Sequence, residues 1–145
     1  MKFEPIPFRS EWYDQACELR NELLRRPLGL DLFTEDLAAE SAYRHYGILE
    51  EDRVVACVLA VTVTPQKAKL RQMAVSVEYQ NQGVGRQLLQ NVELDLKRQG
   101  VEALELEART TAVGFYEKLG YVKGGDEFLA VSIPHVRMVK SLVQE

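Results

Sequence analysis

The chain has 145 residues, with 18 Lys and Arg against 22 Asp and Glu, a formal net charge of −4, 46% hydrophobic residues and 28% charged ones. That length suits one domain with one core, and the composition is that of a soluble globular protein. An acidic balance argues against a nucleic-acid partner, no apolar run reaches the roughly 20 residues that cross a bilayer, and the opening "MKFEPIPF" has no signal-peptide core, so a cytoplasmic protein without membrane contact is expected.

In chain order, "KFEPI" predicts a short first strand. Ser10 is placed to cap a helix whose apolar residues Trp12, Ala16, Leu19, Leu23 and Leu24 recur at helical spacing, until Pro27 and Gly29 stop it. "LDLFTEDLAAES" predicts a short second helix with Thr34 as its cap. "YGILEEDRVVACVLAVTVTP" predicts a β-hairpin turning at Glu51, Asp52 and Arg53. Its second arm is apolar at nearly every position from Val54 to Val61, the pattern of a strand covered on both faces. "AKLRQMAVSV" predicts the next strand. A long helix follows, with Val84, Leu88, Leu89, Val92 and Leu96 on one face and Gly100 at its end. "VEALELEA" alternates as a strand, so this strand–helix–strand unit predicts a parallel pair. "TTAVGFYEKLG" predicts a short helix closed by Gly120, and "YVKGGDEF" and "HVRMVKSL" a closing pair of strands. The sum is an α/β fold over residues 1–145. It has a mixed, mostly antiparallel sheet of six or seven strands, one parallel crossover, and helices on both faces.

Cys17 and Cys57 stand apart from any C-x-x-C or Cys/His cluster, so no metal site is expected and both read as reduced packing residues. The stretch "YQNQGVGRQLL" is more informative. Gly83 and Gly85 precede the long helix, whose first amides have no internal partner and carry the positive end of the helix dipole. Glycine leaves those amides bare for a phosphate, and Arg86 adds a forked donor. Two well-known phosphate loops are excluded. The dinucleotide fingerprint needs a small residue where Leu88 stands, and the Walker loop needs Lys-Ser/Thr where Arg86 and Gln87 stand. On these residues alone, a plain loop-to-helix turn is the other reading.

The neighbouring sequence narrows the choice. "QNQGVG" fits [RQ]-x-x-G-x-[GA], and the segment from Leu70 to Leu89 resembles the central motif of the GNAT superfamily of acyl-CoA N-acyltransferases. Downstream, "AVGFYEKLGY" resembles the second hallmark of that superfamily, A-x-x-F/L-Y-E-K-x-G-F/Y. The resemblance implies the GNAT fold and acetyl-CoA as co-substrate. It also implies a primary amine acceptor, small molecule or peptide, that attacks directly in a ternary complex. Homodimers are common in the family. Residue by residue, the backbone of Met73, Ala74 and Val75 would run along the pantetheine arm, with the Val75 N–H polarising the thioester carbonyl. Gln80, Asn81, Gln82, Gly83, Val84, Gly85 and Arg86 would surround the pyrophosphate, with Lys118 in reach of a cofactor phosphate. Phe115 and Tyr116 would meet the thiol end, and Tyr116 matches the family's general acid. The chemical need is clear, since a thiol of pKa about 8.5 departs beside a phenol of pKa about 10 that can protonate it.

One position departs from the family. Arg109 stands where an asparagine usually contacts the cofactor, and it is expected to meet a phosphate or an anionic acceptor instead. The candidate general bases are His135, which follows Pro134, and Glu107, which shares a strand face with Glu105. The plainer readings are a turn histidine and a solvated strand face. Arg20, Arg25 and Arg26 read either as a lure for an acidic acceptor or as a solvated helix end. The tail "GDEFLAVSIPHVRM" resembles the ElaA-like branch, with Ser132 where that branch has glycine. The competing functional reading is a non-catalytic acyl-CoA-binding module of the same fold. Tyr116 favours the enzyme, because a pure binder needs no acid at the thiol.

Overall fold

The computed structural model describes residues 1–143. In chain order they form β1 (Lys2–Pro5), α1 (Glu11–Leu24), β2 (Arg44–Glu50), β3 (Arg53–Thr64), β4 (Lys67–Val75), α2 (Val84–Arg98), β5 (Ala103–Arg109), α3 (Val113–Lys118), β6 (Val122–Ala130) and β7 (Ile133–Ser141). The strands make one sheet in the order β1-β2-β3-β4-β5-β7-β6. β4 and β5 are its parallel pair, joined by the crossover through α2, and the other neighbours run antiparallel.

Local chemistry explains most of these boundaries. The Ser10 side chain accepts the Tyr13 amide and starts α1. Glu51 and Asp52 both take positive φ (50° and 67°), the twist that suits a two-residue hairpin turn, so Arg53 belongs to β3 and not to the turn. All five apolar positions expected on α2 are at most 2% exposed, and β3 is buried from Val54 to Ala60.

One expectation is corrected. Residues 31–42 form two pieces of 3-10 helix, Leu32–Thr34 and Leu37–Ala42, with no α-helix between them. Only Leu32 and Glu40 in this stretch are buried, too little apolar face to hold a longer helix down. The cap is Asp31, whose carboxylate accepts the Phe33 amide, while the Thr34 hydroxyl donates to the Asp31 carbonyl. The closing pair forms as expected, β6 against β7 antiparallel. β7 inserts between β5 and β6, which leaves β6 as a largely exposed edge strand.

The feature that positions the site is a bulge in β4. Leu59 pairs with Arg71 and Cys57 with Ala74, so Val58 faces two residues, Gln72 and Met73. Gln72 takes φ 53°. Alternation is broken there. Ala68 and Leu70 pack in the core under α2, whereas Ala74 packs in the core under α1. Arg71 and Gln72 therefore both face the α1 side, and Met73 and Val75 face the α2 side. Pairing of β4 with β5 ends at Leu70–Leu106, and beyond it the two strands part.

Candidate active site

Two clefts meet at the parted strands, and Met73, Ala112 and Tyr116 line both. The first, of about 600 Å³, lies over the start of α2. Gly83 is the N-cap in the left-handed region (φ 80°) with no side chain to cap the helix. The first helical bond is Gln87 N–H to the Gly83 carbonyl at 3.0 Å, so the amides of Val84, Gly85 and Arg86 have no acceptor inside the helix. No acidic side chain sits in that first turn. The glutamines serve the loop itself: Gln80 Nε2 donates to the Val75 carbonyl at 2.9 Å and Gln82 Nε2 to the Glu78 carbonyl at 2.7 Å. Gly85 also serves close packing. A Cβ there would lie 2.9 Å from Met73 Cε and 3.2 Å from Phe115 Cζ, so the bare backbone lets the helix start pack against the gap. Bare, donor-rich amides beside Arg86 fit a pyrophosphate.

Of the residues expected around the cofactor, Met73, Val75, Gln80, Asn81, Gly83, Gly85, Arg86, Phe115 and Tyr116 line this cleft. The Val84 side chain is buried under α2 and that of Ala74 under α1, so either can contribute only backbone. Gln82 and Lys118 line neither cleft, and Arg109 lines the second one. Sequence reasoning missed Tyr79, Thr111 and Ala112, which complete the wall. The last two precede α3, and the "TTA" before "VGFY" was the available signal.

The second cleft, of about 340 Å³, opens on the α1 side and brings Arg25, Arg71, Glu107, Arg109 and His135 together around Tyr116. The Tyr116 hydroxyl is 3.7 Å from Met73 Sδ, and its ring stands edge-on to Phe115 and Tyr121. Burial pushes its pKa up to about 12, so the phenol keeps its proton at neutral pH. His135 is buried on β7 against Phe128, with Nδ1 2.7 Å from the Ile133 carbonyl. A carbonyl can only accept, so Nδ1 carries a proton and any lone pair on the ring lies at Nε2. Glu107 is exposed and tied to Lys69 at 2.8 Å. Burial opposes the charge of Glu105, but Arg137 at 2.7 Å and Lys67 hold its carboxyl below the usual range, so it is no base.

The arginines of α1 and the turn after it divide. Arg20 is 2% exposed and points into the protein, not toward an acceptor. Its guanidinium grips both Glu40 oxygens at 2.9 and 2.6 Å and donates twice to Gln72 Oε1, while the Tyr13 hydroxyl donates to Glu40. The signal for this was spacing, because Arg20 falls on the same helical face as Tyr13, Ala16 and Cys17. Arg25 reaches Glu35 at 2.7 Å, and Arg26 is exposed. Cys17 and Cys57 are buried free thiols, and burial raises both, Cys57 to about 12, which makes neither a nucleophile.

Helix amides thus open toward a parted parallel pair, with a protonated phenol at the join. Residues 18–142 match the acetyltransferase (GNAT) domain family, and the chain belongs to it. YyaT of Bacillus subtilis is 30% identical over 112 residues, 77% of this chain and 75% of that one. A second Bacillus subtilis protein, described as an acetyltransferase, is 38% identical over 80 residues, 55% of this chain, and the match spans about half its length (54%). The crystal structure of Escherichia coli ElaA superposes with a TM-score of 0.78 over 97% of this chain and 99% of its own, at 16% identity, a likeness of fold. Among the described residues no helix is long and apolar enough to cross a membrane.

Proposed function

We propose that the protein is an N-acetyltransferase that moves the acetyl group of acetyl-CoA to a primary amine by direct attack in a ternary complex. The observation that carries this reading is Tyr116, a protonated phenol lining both the cleft over the helix amides and the cleft on the acceptor side. In this reading the amides of Val84, Gly85 and Arg86, with the Arg86 fork, hold the pyrophosphate. The edge of β4 from Met73 to Val75 lies beyond its pairing with β5 and takes the pantetheine arm, with the Val75 N–H at the thioester carbonyl.

Acetyl-CoA supplies an acyl carbon activated as a thioester. The acceptor nitrogen attacks that carbon, a C–N bond forms and the C–S bond breaks. Tyr116 gives its proton to the departing sulfur, and His135 Nε2 takes the proton lost by the amine, directly or through water. Glu107 is the second candidate base and would first have to leave Lys69. We place the enzyme in the cytoplasm, as one catalytic domain acting without a metal on a small-molecule or peptide amine, with a homodimer as the assembly to look for by light scattering. Thiol release from acetyl-CoA, measured over a panel of amines, tests the reading. Release with one or more amines supports it. Tight coenzyme A binding with no release by any amine supports the binding module in its place.

A further inference from the structure

Charges along the open side of the sheet are matched up to the point where the strands part, and not beyond it. Glu105 is shared by Lys67 (3.6 Å) and Arg137 (2.7 Å), and Glu107 is taken by Lys69 (2.8 Å). Arg71 and Arg109 come next along β4 and β5. Both line the 340 Å³ cleft, and neither has a carboxylate partner among the described residues. Arg25 and Lys69 share that lining, and Glu107 is its one carboxylate. A cation-rich cleft has thus been kept in a chain whose net charge is −4.

The donor half of the reaction does not use these cations. The phosphates of acetyl-CoA belong at the start of α2, across Met73 and Tyr116, and the pantetheine arm and acetyl group carry no charge. We propose that Arg71 and Arg109 bind an anionic group on the acceptor, which is an amine that also bears a carboxylate or a phosphate. Two guanidinium forks on facing strands suit a planar carboxylate or a phosphate, each of which accepts paired N–H bonds. The surplus charge has a second use. It disfavours the ammonium form of an incoming amine, and only the neutral amine can attack. The inference rests on the transferase reading and specifies its acceptor.

The test compares initial rates of thiol release from acetyl-CoA with γ-aminobutyrate, O-phosphoethanolamine, butylamine and putrescine, at low ionic strength. We expect at least one of the two anionic amines to exceed butylamine in kcat/KM by about ten-fold or more, with putrescine slowest. The ratio between the two anionic amines separates carboxylate from phosphate. Arg71→Gln is expected to bring the ratio of the better anionic amine to butylamine close to one, mainly through KM, and Arg71→Lys to keep part of it. Butylamine or putrescine matching both anionic amines would overturn the inference, as would an unchanged ratio in Arg71→Gln, and both results would leave the transferase reading standing. If none of the four releases thiol while an amine without an anionic group elsewhere in the wider panel does, this inference falls and the transferase reading stands; if no amine of the panel does while coenzyme A binds, both fall.

Discussion

Arg20 and Arg71 approach the same bulge of β4 from the same side of the sheet, and their surroundings are opposite. Arg20 lies beneath α1 and meets Glu40, Gln72 and Cys17. Arg71 lies past the end of that helix, exposed, in a cleft with other cations. Where α1 covers the sheet, an unpartnered charge would cost several kcal/mol, so each donor is matched. Among the described residues no buried side-chain nitrogen or oxygen lacks a hydrogen-bond partner. Where the sheet is open, water screens the surplus and a cation can wait for a ligand. The two regions also share a part: the Gln72 side chain held by Arg20 belongs to the β4 bulge, which lies just past the last paired residue of β4 and β5. The buried half thereby supports the geometry of the open half.

The largest expected effect comes from breaking the covered side. Glu40→Leu leaves Arg20 charged and buried, and should cost about 3–5 kcal/mol in urea unfolding. Arg20→Met in the same chain should recover part of that loss, and a double variant no more stable than Glu40→Leu would show that the pair is not the cause. On the open side, Tyr116→Phe should lower kcat by about a hundred-fold or more while leaving coenzyme A affinity nearly unchanged by calorimetry. An equal loss in both would mark the tyrosine as packing. Gly83→Ala should cost about 1–2 kcal/mol, because a side chain at φ 80° is strained although nothing lies within 4 Å of the added Cβ, and it should weaken coenzyme A binding at the helix amides. The smallest effect is expected from Lys69→Gln, which breaks an exposed ion pair worth about 0.2–1 kcal/mol. A loss as large as that of Glu40→Leu would erase the distinction between the two regions.

The covered side should also make the protein acid-sensitive. His45 is buried against Tyr13 with Nε2 2.9 Å from the Glu40 carbonyl, and burial lowers its pKa from 6.5 despite that hydrogen bond. Burial opposes the charge of Glu40, but its bonds from Arg20 and Tyr13 prevail and hold the carboxyl below 4.5. Both folded-state pKa values lie below their unfolded ones, so the unfolded chain takes up protons first as pH falls. Stability from His45 should be complete above about pH 6.5 and that from Glu40 above about pH 4.5, each declining below. Urea midpoints followed from pH 7.5 downward should show two steps, and His45→Gln should flatten the upper one.

Much of the fold was legible because its signals are local. The α2 face reads from one period of Val84, Leu88, Leu89, Val92 and Leu96, and the hairpin from a polar turn between two apolar arms. The site was legible where motif and backbone coincide, at Gly83, Gly85 and Tyr116. It was not legible at Arg20, which was grouped with Arg25 and Arg26 although spacing set it on the inner face. Nor was the 3-10 character of residues 31–42 legible, since it follows from how little of that segment finds a partner to pack against.

The sequence by itself determined the order of elements, the parallel crossover, the bare amides at the start of α2 and the family to which they belong. These depend on periodicity, glycine and short-range spacing, which are properties of neighbours in the chain. Tertiary structure alone decided that β7 enters between β5 and β6, that the β4 bulge turns Arg71 and Gln72 to one side, and that Arg20 is spent inside while Arg71 and Arg109 have no carboxylate partner among the described residues. Each of those outcomes turns on which residues distant in the chain are brought into contact and which are shut away from water, and the charge pattern of the acceptor cleft is one of them.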